Sequence, residues 1–319
     1  MSRGTLLPKS GHHDRRLEVS IAGIPLRNPT VLASGILGMS ASSAGLAVAL
    51  GAGAVTFKSC GLEPRKGHPC PAVVPFEHGL LNAVGLSNPG AEQMAREIAD
   101  FRQRFQIPVF ASIFGKTVAE FGQVAEIISK ARPHLIEVNV SCPNVESELG
   151  TPFGLDGAVT AEITRVVKRA SEGIPVAIKL SPQAHGIGRI ARACQDAGAD
   201  AITAINTVGP GMVIDPVLRR PILSNRVGGV SGGAVLPIAV RCVYEIASQV
   251  TIPIIGTGGV SRADHALQLI LAGATGIGIG TGLHEAGDGV FTDVCQGLSD
   301  YLDRNGLDNL DKLRGAAHD

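Results

Sequence analysis

Eight short apolar runs recur along this 319-residue chain, separated by longer segments. The runs are TVLAS (30–34), AVTFKS (54–59), PVFASI (108–113), LIEVNV (135–140), PVAIKL (175–180), AITAIN (201–206), IPIIGT (252–257) and GIGIGT (276–281). Between or after them lie AEQMAREIADFRQRF, VAEIISKA, TAEITRVVKRAS, IGRIARACQDAG, VLPIAVRCVYEIASQV and SRADHALQLILAG, each of helical period. Alternation of this kind is the pattern of βα units with parallel strands. Eight units predict an α/β fold, a single closed (β/α)8 TIM barrel; its usual size of about 250 residues leaves room here for inserted βα loops. An open doubly wound sheet is the alternative. LEVSIAGIPL predicts a short N-terminal hairpin ahead of the barrel, and SRAD places Ser261 and Asp264 at capping-box spacing before a helix. Residues 1–16 are read as a flexible tail and residues 17–319 as one domain, since no linker-like stretch divides them.

The charge balance, 28 basic against 28 acidic residues, provides no single-sign field for nucleic acid or an anionic membrane surface. Small molecules or proteins are the expected partners. No apolar run reaches the roughly 18 residues of a membrane span, and the first residues lack the apolar core of a signal peptide. Six cysteines scattered through the chain lack the density of a disulfide scaffold, which points to a reducing cytoplasm. Cys60, His68 and Cys70 imitate metal ligands, but three candidates without a fourth predict no metal site.

A barrel demands that functional groups gather at the C-terminal ends of its strands. Lys58 and Lys179 close otherwise apolar runs, Asn139 and Cys142 follow the fourth, and Asn206 and Thr207 follow the sixth. A lysine at such a place either snorkels to water or meets an anion. GTGGVSRAD (256–264) and GIGTGL (278–283) follow the last two strands, where glycine amides commonly hold a phosphate; the plainer reading is a pair of tight turns. No complete G-x-G-x-x-G stands between a strand and a helix, so a nicotinamide fingerprint is missing. Asn82, Asn88, Asn139, Asn144 and Asn206 could each be a turn former, yet together they suit a flat ligand edged with C=O and N–H groups, such as a pyrimidine. Cys142 is either an inert thiol or a nucleophile and base on a polar loop, with Pro143 biasing it toward extended backbone.

NPTVLASGILG, FKSCGLEPRKGHP, LLNAVGLSNPG, IEVNVSCPNV, IKLSP, INTV, GGVSGGAVLPIAVRCVYEI, IIGTGGV and IGIGTGL, in that order, resemble the class 1 dihydroorotate dehydrogenases, most closely the catalytic subunit of class 1B. The resemblance implies one non-covalent FMN per chain and oxidation of (S)-dihydroorotate to orotate in de novo pyrimidine biosynthesis. Cys142 matches the base that removes the C5 proton while the C6 hydride passes to flavin N5. Lys58, Asn82, Gly85, Leu86, Asn139, Asn144, Asn206 and Thr207 match substrate-binding positions. Ser34, Lys58, Ser59, Ser112, Asn139, Lys179, Ile205, Gly232, Gly258, Gly259, Gly280 and Thr281 match FMN-binding positions. The resemblance further implies a homodimer and an electron-transfer subunit carrying FAD and a 2Fe-2S cluster, forming a heterotetramer linked to NAD+. Ser112 replaces the usual class 1B asparagine, as in the dihydropyrimidine dehydrogenases, which act on uracil and thymine; His68 and Ala72 also depart from the class pattern. Those relatives make dihydropyrimidine oxidoreduction the alternative activity, and a flavin-free barrel lyase or aldolase using a lysine Schiff base is a third.

Overall fold

The computed structural model describes residues 14–140 and 153–318. Eight strands, β1 (Thr30–Leu32), β2 (Ala54–Cys60), β3 (Val109–Ile113), β4 (Leu135–Asn139), β5 (Val176–Leu180), β6 (Ala201–Ala204), β7 (Ile254–Thr257) and β8 (Gly276–Ile279), close into one barrel in chain order. Every neighbouring pair is parallel, including β8 with β1. Helices on the outside and side chains on the inside cover both strand faces, which explains the near-continuous apolar runs. Of all the barrel-strand residues, only Lys58 and Thr257 are not fully buried. Both stand toward the C-terminal ends of their strands.

The surrounding helices are α1 (Ala41–Ala49), α2 (Ala91–Arg104), α3 (Val118–Ser129), α4 (Gly157–Ala170), α5 (Ile187–Asp196), α6 (Leu236–Ala247), α7 (Ala263–Leu271), the short α8 (Gly282–Ala286) and α9 (Val290–Asn305). In α4, Asp156 caps the N-terminus by accepting from the Ala158 and Val159 amides, while Ile163 and Val167 bury one face and Lys168 and Arg169 complement the last turn. The expected capping box at α7 does not form. Arg262 is the N-cap there, Asp264 pairs with its guanidinium at 2.6 Å, and Ser261 lies one residue too early, 3.4 Å from His265 Nδ1. Among the described residues, no helix is long and apolar enough to cross a membrane.

The N-terminal hairpin pairs Val19–Ile21 with Ile24–Leu26 across a two-residue turn at Ala22 and Gly23, both with positive φ, as the turn favoured by strand twist requires. Its buried residues Val19, Ile21, Ile24 and Leu26 face the barrel floor: a Cβ on Gly276 would stand 2.7 Å from Ile21 Cδ1. Residues 14–16, assigned above to the tail, belong to structure. Arg15–Leu17 form a 3-10 turn capped by Asp14, whose carboxylate also accepts from Ser299 on α9, while Arg16 bridges Asp14 at 2.8 Å and Asp303 at 2.6 Å.

These contacts hold the Asp14 carboxyl below its usual range, at about 2, with the Arg16 hydrogen bond as the main cause. The unfolded chain then binds this proton more readily than the folded one, so the stabilisation is complete above about pH 4 and is lost as pH falls toward 2. Urea unfolding between pH 5 and pH 2 should therefore show a shallower loss of stability in Asp14→Asn than in the wild type; parallel curves would remove Asp14 from the acid response.

Two insertions, after β2 and after β6, assemble a separate antiparallel sheet in the order Val208–Gly211, Gly228–Ser231, Gly79–Asn82, Val73–Phe76. It has its own small core of Val74, Leu81 and Leu223. The sheet walls one side of the barrel mouth and places Asn82 opposite Gly229.

Candidate active site

The C-terminal ends of the barrel strands open into a cavity of about 660 Å³. Its lining includes Ser34 after β1, Lys58 and Ser59 on β2, Asn139 ending β4, Lys179 on β5, and Ile205, Asn206 and Thr207 after β6. Asn82, Gly85 and Leu86 enter from the first insertion, Gly232 from beyond the second, and Gly258, Gly259, Gly280 and Thr281 from the turns after β7 and β8. Residues spread from 34 to 281 thus face one space. Cys142 and Asn144 lie outside the described residues.

A chain of hydrogen bonds fixes the polar side chains. Ser59 Oγ lies 2.8 Å from Ser112 Oγ and accepts from Asn139 Nδ2 at 3.3 Å; Asn139 Oδ1 accepts from Asn206 Nδ2 at 3.2 Å, and Asn206 Oδ1 accepts from the Thr207 amide at 2.9 Å. Each asparagine is oriented by a neighbour on another strand, so the amides are preorganised. Ser112 is fully buried and does not line the cavity; it reaches the mouth only through Ser59. Asn82 donates to the Gly229 carbonyl at 3.1 Å, locking the first insertion to the second.

Asn88 does not join this group. It is buried and engages the Gly61 and Gly90 amides and the Leu86 carbonyl, so the turn-former reading holds for this asparagine. Gly85 and Leu86 both take positive φ in that loop, and a Cβ on Gly85 would strike the His68 backbone at 2.6 Å. His68 lines the cavity with its Nδ1 3.0 Å from the Ala83 carbonyl.

The lysines differ. Lys58 is partly exposed at the mouth, whereas Lys179 is only 5% exposed and its ammonium donates to Ser34 Oγ at 3.0 Å and lies 3.5 Å from Glu137 Oε1. The anion that Lys179 meets in the protein is therefore Glu137, which sequence reading passed over although a carboxylate stood inside the apolar run LIEVNV. Ser231 and Glu285 were also missed, and no local signal marks either. Ser231 Oγ lies 2.7 Å from Thr281 Oγ1, and Glu285 Oε1 accepts from the Gly233 amide at 3.1 Å.

After β7, Gly258 and Gly259 have φ of +137° and +76°, and Cβ atoms there would meet Ala239 Cβ at 2.8 Å and Leu236 Cβ at 2.7 Å. Only glycines allow this turn to nest against the start of α6. None of the described cysteines lines the cavity, and burial pushes the thiols of Cys60, Cys194 and Cys295 up to about 12. Among the described residues, no group of three or more His, Cys, Asp or Glu could hold a metal ion.

A parallel barrel whose strand ends gather two lysines, an oriented set of amides and glycine turns around one cavity has the layout of an enzyme barrel. The chain belongs to the dihydroorotate dehydrogenase family, whose sequence profile, described as dihydroorotate dehydrogenase, matches residues 16–302. It is 41% identical over 303 residues to the dihydroorotate dehydrogenase B (NAD(+)) catalytic subunit of Methanothermobacter thermautotrophicus, covering 95% of this chain and 99% of that one. It is 42% identical to proteins of the same description from Methanocella arvoryzae, over 95% of this chain and 98% of that one, and from Desulforudis audaxviator, over 94% and 97%.

Proposed function

We propose that this chain is the catalytic subunit of a B-type dihydroorotate dehydrogenase, binding FMN and oxidising (S)-dihydroorotate to orotate in pyrimidine biosynthesis. The observation that carries the reading is that, apart from Ser112, every described residue matching a family substrate or cofactor position lines one cavity. The cavity also fits the cofactor. Cβ atoms at Gly258 and Gly259 would meet Ala239 and Leu236 at under 3 Å, so glycine there lets bare backbone form the cavity wall, and the Gly233 amide already donates to a carboxylate oxygen of Glu285, the kind of bond a phosphate oxygen would accept. Gly232, Gly258, Gly259, Gly280 and Thr281 would hold the phosphate end, while Ser34, Ser59, Asn139, Lys179 and Ile205 would hold the ring.

FMN, when bound, supplies the acceptor for the hydrogen and electron pair that leave C6. Lys58 balances the substrate carboxylate, and Asn82, Asn139, Asn144 and Asn206 orient the ring carbonyls and N–H groups, with Gly85, Leu86 and Thr207 closing the contact. Cys142 takes the proton from C5 as the C5–C6 double bond forms. Lys179 carries the positive charge that favours a reduced, anionic ring. NAD+ linkage is drawn from the relatives' description as NAD(+)-type catalytic subunits, and it calls for a partner. A partner bearing FAD and a 2Fe-2S cluster would complete electron transfer to NAD+, since this sequence has neither a dinucleotide fingerprint nor cluster-spaced cysteines. A homodimer of such pairs is the assembly we propose, in the cytoplasm.

The test is anaerobic. Protein reconstituted with FMN should lose its flavin absorbance on adding dihydroorotate and keep it with dihydrouracil. Bleaching by dihydrouracil alone would give the alternative dihydropyrimidine activity, and a protein that takes up no FMN would favour the flavin-free lyase reading.

A further inference from the structure

A TIM-barrel interior is ordinarily packed with layers of bulky branched side chains. Here strand register puts Ser112 beside Glu137 and Lys179 beside both Asn139 and Thr203, which makes a polar layer at the floor of the cavity. Glu137 is 3% exposed. Its Oε1 makes no hydrogen bond, standing 3.5 Å from Lys179 Nζ, and the buried Thr203 Oγ1 also lacks a partner. Lys179 lines the cavity while Glu137 does not, so Glu137 acts on a ligand without contact, by holding the lysine and through its own field.

Stability does not account for the pair. A buried ion pair with an unmade hydrogen bond is often replaceable by apolar residues at no loss, since desolvating both charges offsets their attraction. What the pair does provide is a fixed charge at the cavity floor. Ser34 and Glu137 hold the ammonium from two sides, and in so dry a setting each charge acts strongly on whatever lies above.

We propose that Glu137 is a positioning residue that pins the Lys179 ammonium and offsets part of its field, thereby setting the reduction potential of the flavin. The inference rests on the FMN reading of the cavity. An ammonium favours the reduced, anionic ring and a carboxylate opposes it, so the two residues pull the potential in opposite directions.

The experiment measures, for wild type, Glu137→Gln, Lys179→Met and the double variant, the FMN affinity of the apoprotein by fluorescence and the midpoint potential by dye equilibration. Together these give the ratio of affinities for reduced and oxidised FMN. Glu137→Gln should raise that ratio about tenfold, which is about 30 mV for a two-electron couple. Lys179→Met should lower it, and the double variant should return toward the wild type. A residue with a merely structural role would weaken FMN binding without moving the ratio in opposite directions. An unchanged ratio in Glu137→Gln, or a fall matching Lys179→Met, overturns the proposal. Should Glu137→Gln fail to fold, the double variant decides: a ratio near wild type supports Glu137, and one as low as Lys179→Met alone refutes it. Wild-type protein that takes no FMN would instead sink the cofactor reading on which this rests.

Discussion

Replacing Cys142 by alanine should leave FMN bound and lower the rate of dihydroorotate oxidation by roughly 10²- to 10⁴-fold, the usual contribution of a positioned acid–base group. In the proposed mechanism Cys142 is the base, and Asn139, three residues before it in the sequence, lines the cavity. The described thiols offer no substitute, because none of them lines the cavity, and burial suppresses the acidity of Cys60 and Cys194. Flavin absorbance of the purified variant reports cofactor retention, and stopped-flow reduction by dihydroorotate reports the chemical step. Near-normal reduction would remove Cys142 from its role; loss of both flavin and activity would instead make it a binding residue.

The barrel was legible because each strand is buried on both faces, which forces the apolar runs, and because polar residues at the run ends have no place in a core. Lys58, Asn139, Lys179 and Asn206 could be placed at the mouth for that reason alone. Other elements leave weaker traces. Helix α1 is nearly all small and apolar, with Ala44, Gly45, Ala47 and Val48 buried, so it shows little of the contrast that reveals a helix. The sheet over the mouth is built from four-residue strands, and its two halves join across about 150 positions, Asn82 with Gly229 among them, a pairing that no local pattern encodes. Glu137 was legible in kind but not in role: an acidic residue within an apolar run announces a buried charge, while its partner is set by the barrel register. The capping box failed for a related reason. A spacing of Ser and Asp fits several local geometries, and Arg262, extended at φ −158° and paired with Asp264, took the cap position instead.

Gly259→Val is expected to weaken FMN binding by about 100-fold or more, equivalent to about 2.7 kcal/mol. Two costs combine. At φ +76° a β-branched residue is a steric outlier, and its Cβ would stand 2.7 Å from Leu236 Cβ and 3.0 Å from the Gly232 carbonyl oxygen. The first cost is one of conformation and the second one of space, and only the second moves the cofactor cradle, because Leu236 opens α6 and Gly232 lines the cavity. Gly287→Val separates them. Gly287 has nearly the same φ, +75°, but nothing lies within 4 Å of its Cβ position, so valine there meets the conformational cost alone. Both variants should lose thermal stability, whereas fluorescence titration of the apoproteins with FMN should find only Gly259→Val impaired. Equal FMN affinities in the two variants would mean that the turn after β7 does not shape the cofactor site. A Gly259→Val protein impaired in FMN binding yet still cooperative in unfolding would locate the damage in the cradle, since the barrel beneath it, closed by eight parallel pairings, does not depend on that turn for its register.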